Sequence, residues 1–258
     1  MLVTLSRLGR TSSSALAFLT ILVPAYVHTE EIWFSIGLAA PIFPMSMCTF
    51  ILNDINDVER DCVNHPDRPL PARDISIFTA AVVYILLFVV SLTSVRALVP
   101  ESTHYVYLVG FLLAVNYSTI VNNLPLLKNP YAAAATTTPI LVVNSAIAPP
   151  PISLMIWLAV FLFIWGRELL MDVEDMAGDG LTWPKLTGRS RAGYLAGGLQ
   201  GAAIVSLGIA ADTLPRQISF MAILILAALA AHWWRKDCGR RSIKLMKAQL
   251  VLALVFLI

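Results

Sequence analysis

Charge is what this sequence has least of. Only 13% of its 258 residues are charged, about half the share usual in a soluble domain. Apolar residues make up 58%, and the mean hydropathy is +0.76. So few charges cannot cover a water-facing surface of that composition, which excludes a soluble globule. The same richness in apolar residues excludes intrinsic disorder. No basic face interleaves with aromatics, so nucleic acid is excluded as a partner. Cysteine is scarce: Cys48, Cys62 and Cys238 are odd in number, widely spaced and without a CxxC. That argues against a disulfide framework or a zinc site. The four histidines, His28, His65, His104 and His232, have no metal-ligand spacing either.

Long apolar runs are what the sequence has in abundance. A helix needs ~20 apolar residues to cross a bilayer core. Nine spans can be marked, at roughly 12–28, 32–52, 75–97, 104–123, 131–148, 152–171, 192–211, 217–234 and 243–258. The fold class is therefore all-α, a polytopic membrane protein with nine transmembrane helices in one bundle and a single domain over 1–258. The last span reaches only ~24 Å at 1.5 Å per residue and ends still apolar, which reads as a trimmed last helix. Arg7 and Arg10 precede the first span without a small-residue cleavage site after it, so that helix is read as uncleaved.

Lys and Arg placement sets the orientation. With nine spans, one side holds Arg7, Arg10, Arg60, Arg68, Arg73, Lys128, Lys185, Arg189, Arg191, Arg235, Lys236, Arg240, Arg241 and Lys244. The other holds only Arg96 and Arg216, while Arg167 and Lys247 fall within spans. The N-terminus and the long loops after spans two and six are accordingly expected in the cytoplasm.

Eleven of the sixteen acidic residues lie in two short stretches, 53–74 and 168–179. Both contain DxxDxxxD: Asp54, Asp57 and Asp61 in the first, Asp172, Asp175 and Asp179 in the second. On a helix the offsets 0, 3 and 7 share one face, so each triplet predicts a carboxylate stripe at a helix end. Both triplets close an even-numbered span and belong to the same side. Stacked carboxylates at a membrane boundary repel one another and lose solvation, so cations must neutralise them. Hard oxygen ligands point to Mg²⁺, which takes one or two carboxylates and binds phosphate oxygens. A diphosphate held between metal ions fits two such stripes, which makes all six aspartates, Asp54 and Asp172 included, candidate metal ligands. Arg68, in the proline-stiffened Asn64-His65-Pro66-Asp67-Arg68-Pro69-Leu70-Pro71, and Lys128 after span four are placed to neutralise phosphate oxygens. Arg167 and Glu168 read as an internal ion pair. A cation transporter is the non-enzymatic alternative, though transport sites usually sit near the bilayer midplane.

With these residues the chain resembles the UbiA superfamily of intramembrane prenyltransferases. Asn53, Asp54, Asp57 and Asp61 match its NDxxDxxxD, and Asp175 and Asp179 its second acidic motif. Arg167-Glu168-x-x-x-Asp172-x-Glu174-Asp175-x-x-Gly178-Asp179 is similar to the ether-lipid branch. Asp67-Arg68-Pro69-Leu70-Pro71, Tyr117-Ser118 and Lys128 also resemble family features. The resemblance implies two or more magnesium ions, held by Asn53, Asp57, Asp61, Asp175 and Asp179, and a prenyl diphosphate substrate. It implies that Arg68 and Lys128 draw off charge as the C–O bond breaks, and that an allylic cation forms in a water-free membrane chamber. Tyr117 is the first candidate to face that cation, ahead of Trp33, Phe50, Trp157 and Trp165. The implied reaction is prenyl transfer to an aromatic or lipid acceptor. Two departures bear on the acceptor: 7–13 carries no Arg-Pro-x-Asn-like segment, and Met171 stands where relatives often have Lys. The alternative that follows is cyclisation of the same diphosphate, as in UbiA-type terpene cyclases.

Overall fold

The computed structural model describes residues 2–121, 124–235 and 239–257. Lys236 and Cys238 lie outside the described residues, which contain helices and no strand. A short helix α1 (Leu2–Leu8) leads into α2 (Thr11–Thr29), α3 (Ile32–Ala39) and α4 (Ile42–Asn56). Then come α5 (Val58–Asn64), α6 (Ile77–Leu98) and α7 (His104–Thr119). Two short helices follow, α8 (Lys128–Thr136) and α9 (Thr138–Ala146). The chain continues through α10 (Leu154–Glu174), α11 (Trp183–Thr187), α12 (Arg189–Ile209), α13 (Leu214–Arg235) and α14 (Gly239–Ala253).

Among the described residues, six segments are long and apolar enough to cross a membrane: Thr11–Thr29, Ile32–Asn56, Ile77–Leu98, Leu154–Glu174, Arg189–Ile209 and Leu214–His232. The other three expected spans are shorter or broken. The fourth is the 16-residue α7, the fifth divides at Thr137 into α8 and α9, and the ninth is α14 closed by a 3-10 turn, Leu254–Leu257. The second is divided too, at Ala40 and Pro41, where the proline has no N–H to continue the ladder of α3. Side chains start two of the long helices. Ser76 accepts from the Thr79 N–H at 3.0 Å ahead of α6, and Ser153 from the Ile156 N–H at 3.3 Å ahead of α10.

The chain forms two compact units. Unit 1 comprises Met1–Asn122, Thr138–Pro151 and Ala177–Asp179. In it α4 packs on α2, α6 and α7, and Leu8, Ile51, Leu70 and Ala80 form a buried cluster. Ile85, Leu86, Val89 and Val90 of α6 are exposed, as a lipid-facing helix requires. Unit 2 comprises Asn123–Thr137, Ile152–Met176 and Gly180–Ile258. Here α10 packs on α8, α12 and α14 around Phe163, Leu169, Leu170, Ala196 and Met246. Gly166 makes the crossing with α12 close: a Cβ there would lie 2.9 Å from the Ala196 carbonyl oxygen.

Neither acidic triplet lies on one unbroken helix, which corrects the expectation of two straight stripes. In the first, Asp54 sits on α4, Asp57 occupies the non-helical joint (φ −100°, ψ 11°) and Asp61 sits on α5. In the second, Asp172 is on α10 and Asp175 is its C-cap. Asp179 lies beyond the helix, in unit 1. Aspartates at such joints ease the chain out of helix, because their short side chains compete with the backbone for hydrogen bonds.

Candidate functional site

In unit 1 the first triplet is met by arginines. Asp54, at 2% exposure, is the most deeply buried carboxylate of the motif. Arg10 Nη2 donates to its Oδ1 at 2.6 Å, and Arg68 Nη1 stands 3.6 Å from the same oxygen. Arg68 Nη1 also donates to both oxygens of Asp61, at 2.7 and 2.6 Å. Arg60 Nη1 donates to Asp57 at 3.1 Å. A buried carboxylate costs several kcal/mol, on the order of the desolvation of one ion, unless a cation compensates it. The arginines provide that compensation for all three aspartates.

In the sequence Arg10 reads only as an orientation charge, and nothing local predicts its reach across 44 residues. Its backbone is left-handed (φ 44°, ψ 52°) in the turn between α1 and α2, a conformation costing an L-residue roughly 1–2 kcal/mol. Its guanidinium lies over the Phe50 ring, 4.9 Å from the centroid. Of the aromatic candidates, Phe50 therefore supports the arginine.

Asn64, the last residue of α5, was also missed. Its Oδ1 accepts from the Gly178 N–H at 2.8 Å, and its Nδ2 donates to Asp179 Oδ1 at 3.1 Å. The end of the second motif is thus fixed on the helix that follows the first. Asn56 Nδ2 donates to the Ser118 carbonyl oxygen at 2.9 Å, which ties the C-terminal end of α4 to that of α7, next to Tyr117.

In unit 2, Lys128 opens α8 and Asp172 lies in the last turns of α10. Lys128 Nζ donates to Asp172 Oδ1 at 2.7 Å, with both residues buried. Asp175 is half-buried at the C-cap of α10. Glu174 stands 3.5 Å from Arg189, and Arg167 pairs with its neighbour Glu168 at 2.7 Å. Trp157, Phe161 and Trp165 form an aromatic ladder along α10, whereas Trp33 is 81% exposed at the start of α3.

No three His, Cys, Asp or Glu side chains converge to hold a metal ion among the described residues. The donor set nevertheless suits magnesium, which takes one or two carboxylates and completes its shell with water and phosphate oxygens. Asn53 Oδ1 is a buried carbonyl oxygen with no hydrogen-bond partner among the described residues. A hard cation satisfies such an oxygen. Cys48 and Cys62 carry free thiols. The Cys48 thiol donates to the Tyr84 carbonyl at 3.3 Å, inside the packing of α4 on α6.

The model of the UbiA prenyltransferase family matches residues 12–253. The digeranylgeranylglyceryl phosphate synthase of Methanoculleus marisnigri is 28% identical over 198 residues, which are 74% of this chain and 70% of that protein. The chain spans 54% and 58% of the length of the synthases of that name from Methanococcus aeolicus and Methanococcus maripaludis. A UbiA homologue from Aeropyrum pernix K1 has the same fold, with a TM-score of 0.80 at 16% identity over 94% of this chain and 96% of that one. So does a UbiA homologue from Archaeoglobus fulgidus bound to dimethylallyl diphosphate and Mg²⁺. There the TM-score is 0.68, again at 16% identity, over 98% of this chain and 99% of that one.

Proposed function

The chain belongs to the UbiA prenyltransferase family, and from that premise we propose that it is a magnesium-dependent intramembrane enzyme moving a prenyl group from its diphosphate to a lipid acceptor. One observation carries the reading. Asp179, from the second acidic motif, is hydrogen-bonded to Asn64 just past the first. A chance acidic run at a helix end has no reason to be fixed beside another.

Asn53, Asp57, Asp61, Asp175 and Asp179 would hold the magnesium ions, whose charge would offset that of the diphosphate oxygens. Asp54 and Asp172, also in the expected metal set, serve through the cations they hold. Arg68 rests on Asp54 and Asp61, and Lys128 on Asp172. A buried carboxylate beside each holds it in place to draw negative charge from the departing diphosphate. The C1–O bond breaks with its electron pair leaving on the diphosphate. The allylic cation is stabilised by the face of Tyr117. The acceptor hydroxyl oxygen forms the new C–O bond and yields its proton to the released diphosphate. The relatives named digeranylgeranylglyceryl phosphate synthase make a prenylated glyceryl phosphate the acceptor class to try first.

Integral membrane residence follows from six apolar helices in a chain of this family. We infer nine crossings within a single catalytic domain, with the N-terminus and the motif loops cytoplasmic. Within unit 2, Lys128 at the start of α8 pairs with Asp172 near the end of α10. Within unit 1, the end of α7 is bonded to the end of α4. Both contacts support α7 as one crossing and the α8–α9 pair as another.

The test is an assay of the purified protein in detergent with geranylgeranyl diphosphate and Mg²⁺, with and without a prenylated glyceryl phosphate. Acceptor-dependent diphosphate release with a doubly prenylated product is the expected outcome. A cyclic hydrocarbon or alcohol formed without acceptor would replace transfer by cyclisation. Ion flux in liposomes with no diphosphate release would replace the enzyme by a transporter.

A further inference from the structure

Past the C-cap of α10, Asp179 has no helix of its own to aim its carboxylate. Asn64 supplies what is missing, with the two halves of one planar amide. The Oδ1 takes the Gly178 N–H at 2.8 Å, and the Nδ2 gives to Asp179 Oδ1 at 3.1 Å. The backbone and the side chain of neighbouring residues are thereby fixed together. We propose that Asn64 is a positioning residue that orients Asp179 for metal–diphosphate binding, with Gly178 as its necessary counterpart; this rests on the function proposed above.

Two features set this contact apart from the other pairs at the motifs. Asn64 is neutral, so it orients the carboxylate without adding a counter-charge. The arginines and lysine on Asp54, Asp57, Asp61 and Asp172 do both. The approach is also close enough to specify glycine. A Cβ on residue 178 would lie 2.7 Å from Asn64 Oδ1 and 2.8 Å from the Arg60 carbonyl oxygen. The Arg60 carbonyl is backbone and cannot yield without moving α5, and the Asn64 amide can yield only by turning away from Gly178 and Asp179. Hydrogen bonds that orient metal ligands typically set metal affinity by 10–100-fold.

The experiment uses the full chain in detergent with Mn²⁺ and inorganic pyrophosphate, reading bound Mn²⁺ by electron paramagnetic resonance. Wild type is expected to bind Mn²⁺ in the presence of pyrophosphate. Should it bind none, the proposed function fails, and this inference with it. Asn64→Ala is expected to weaken that binding about 10–100-fold, with the melting temperature without ligand recorded alongside. Gly178→Ala should give the same loss, and the double variant no more than the larger single loss, because both changes break one contact. Wild-type affinity in Asn64→Ala, or losses that add, would overturn the inference while leaving the function standing. If Asn64→Ala fails to fold, Asn64→Asp keeps the shape and the acceptor for Gly178 but sets a carboxylate against Asp179. Mn²⁺ affinity must then fall about tenfold or more, and unchanged or higher affinity overturns the proposal.

Discussion

Asp54 is 2% exposed, pairs with Arg10 and Arg68, and shares Arg68 with Asp61. Removing one cation leaves charge buried with less compensation, so the effect should exceed that of a surface pair. Arg10→Ala is expected to cost about 2 kcal/mol, between the values for exposed and fully buried pairs, read as a lower melting temperature in detergent. Arg68→Ala removes the cation shared by two motif aspartates. Its diphosphate release should drop about 10²–10³-fold, the usual loss for one preorganised electrostatic donor. Cys62→Ser, an exposed thiol one residue from Asp61, should stay near wild type where Asp61→Asn does not. The carboxylates of the candidate site were legible in the sequence because spacing alone marks them. Arg10 and Asn64 were not. Their partners lie 44 and 115 residues away, and a turn residue or a helix-end asparagine has no periodicity to betray it.

Helix existence was legible too, since apolar length dictates it, but helix integrity was not. Thr137 divides α8 from α9 inside a run that reads as one span, and Asp57 divides α4 from α5 inside a motif that reads as one stripe. Both are short polar residues whose side chains compete with the helix ladder, a weak signal beside composition. Small residues at crossings carry a clearer one. Gly166 faces the Ala196 backbone, which cannot yield as a flexible side chain would. Gly166→Val is expected to force α10 and α12 apart at a cost of about 1–3 kcal/mol. Gly198 on α12 has nothing within 4 Å of an added Cβ. Gly198→Ala should therefore be neutral or slightly stabilising, through the unfolded chain. Thermal unfolding of the two variants side by side checks both.

The number of crossings is a whole-molecule property that no single helix reveals. If only the six long helices crossed, the segment ahead of Lys128 would lie outside, on the face opposite the C-terminal end of α10. Lys128 and Asp172 are 2.7 Å apart, and no ion pair spans a hydrocarbon core ~30 Å thick. The proposed nine crossings put both on one face, because the chain then crosses once between α6 and α8 and again between α8 and α10. At 16 residues, α7 is ~24 Å long, short but sufficient if flanking polar residues reach the interface. Single cysteines in a Cys48→Ser, Cys62→Ser, Cys238→Ser background, probed with a membrane-impermeant maleimide in intact cells, separate the counts. Leu126→Cys is expected to react only after permeabilisation, and Ser102→Cys before it. Leu126→Cys labelled in intact cells would strike the crossings at α7 and at α8–α9 from the count. It would also place Lys128 on the far side of the membrane from the end of α10, contrary to their ion pair.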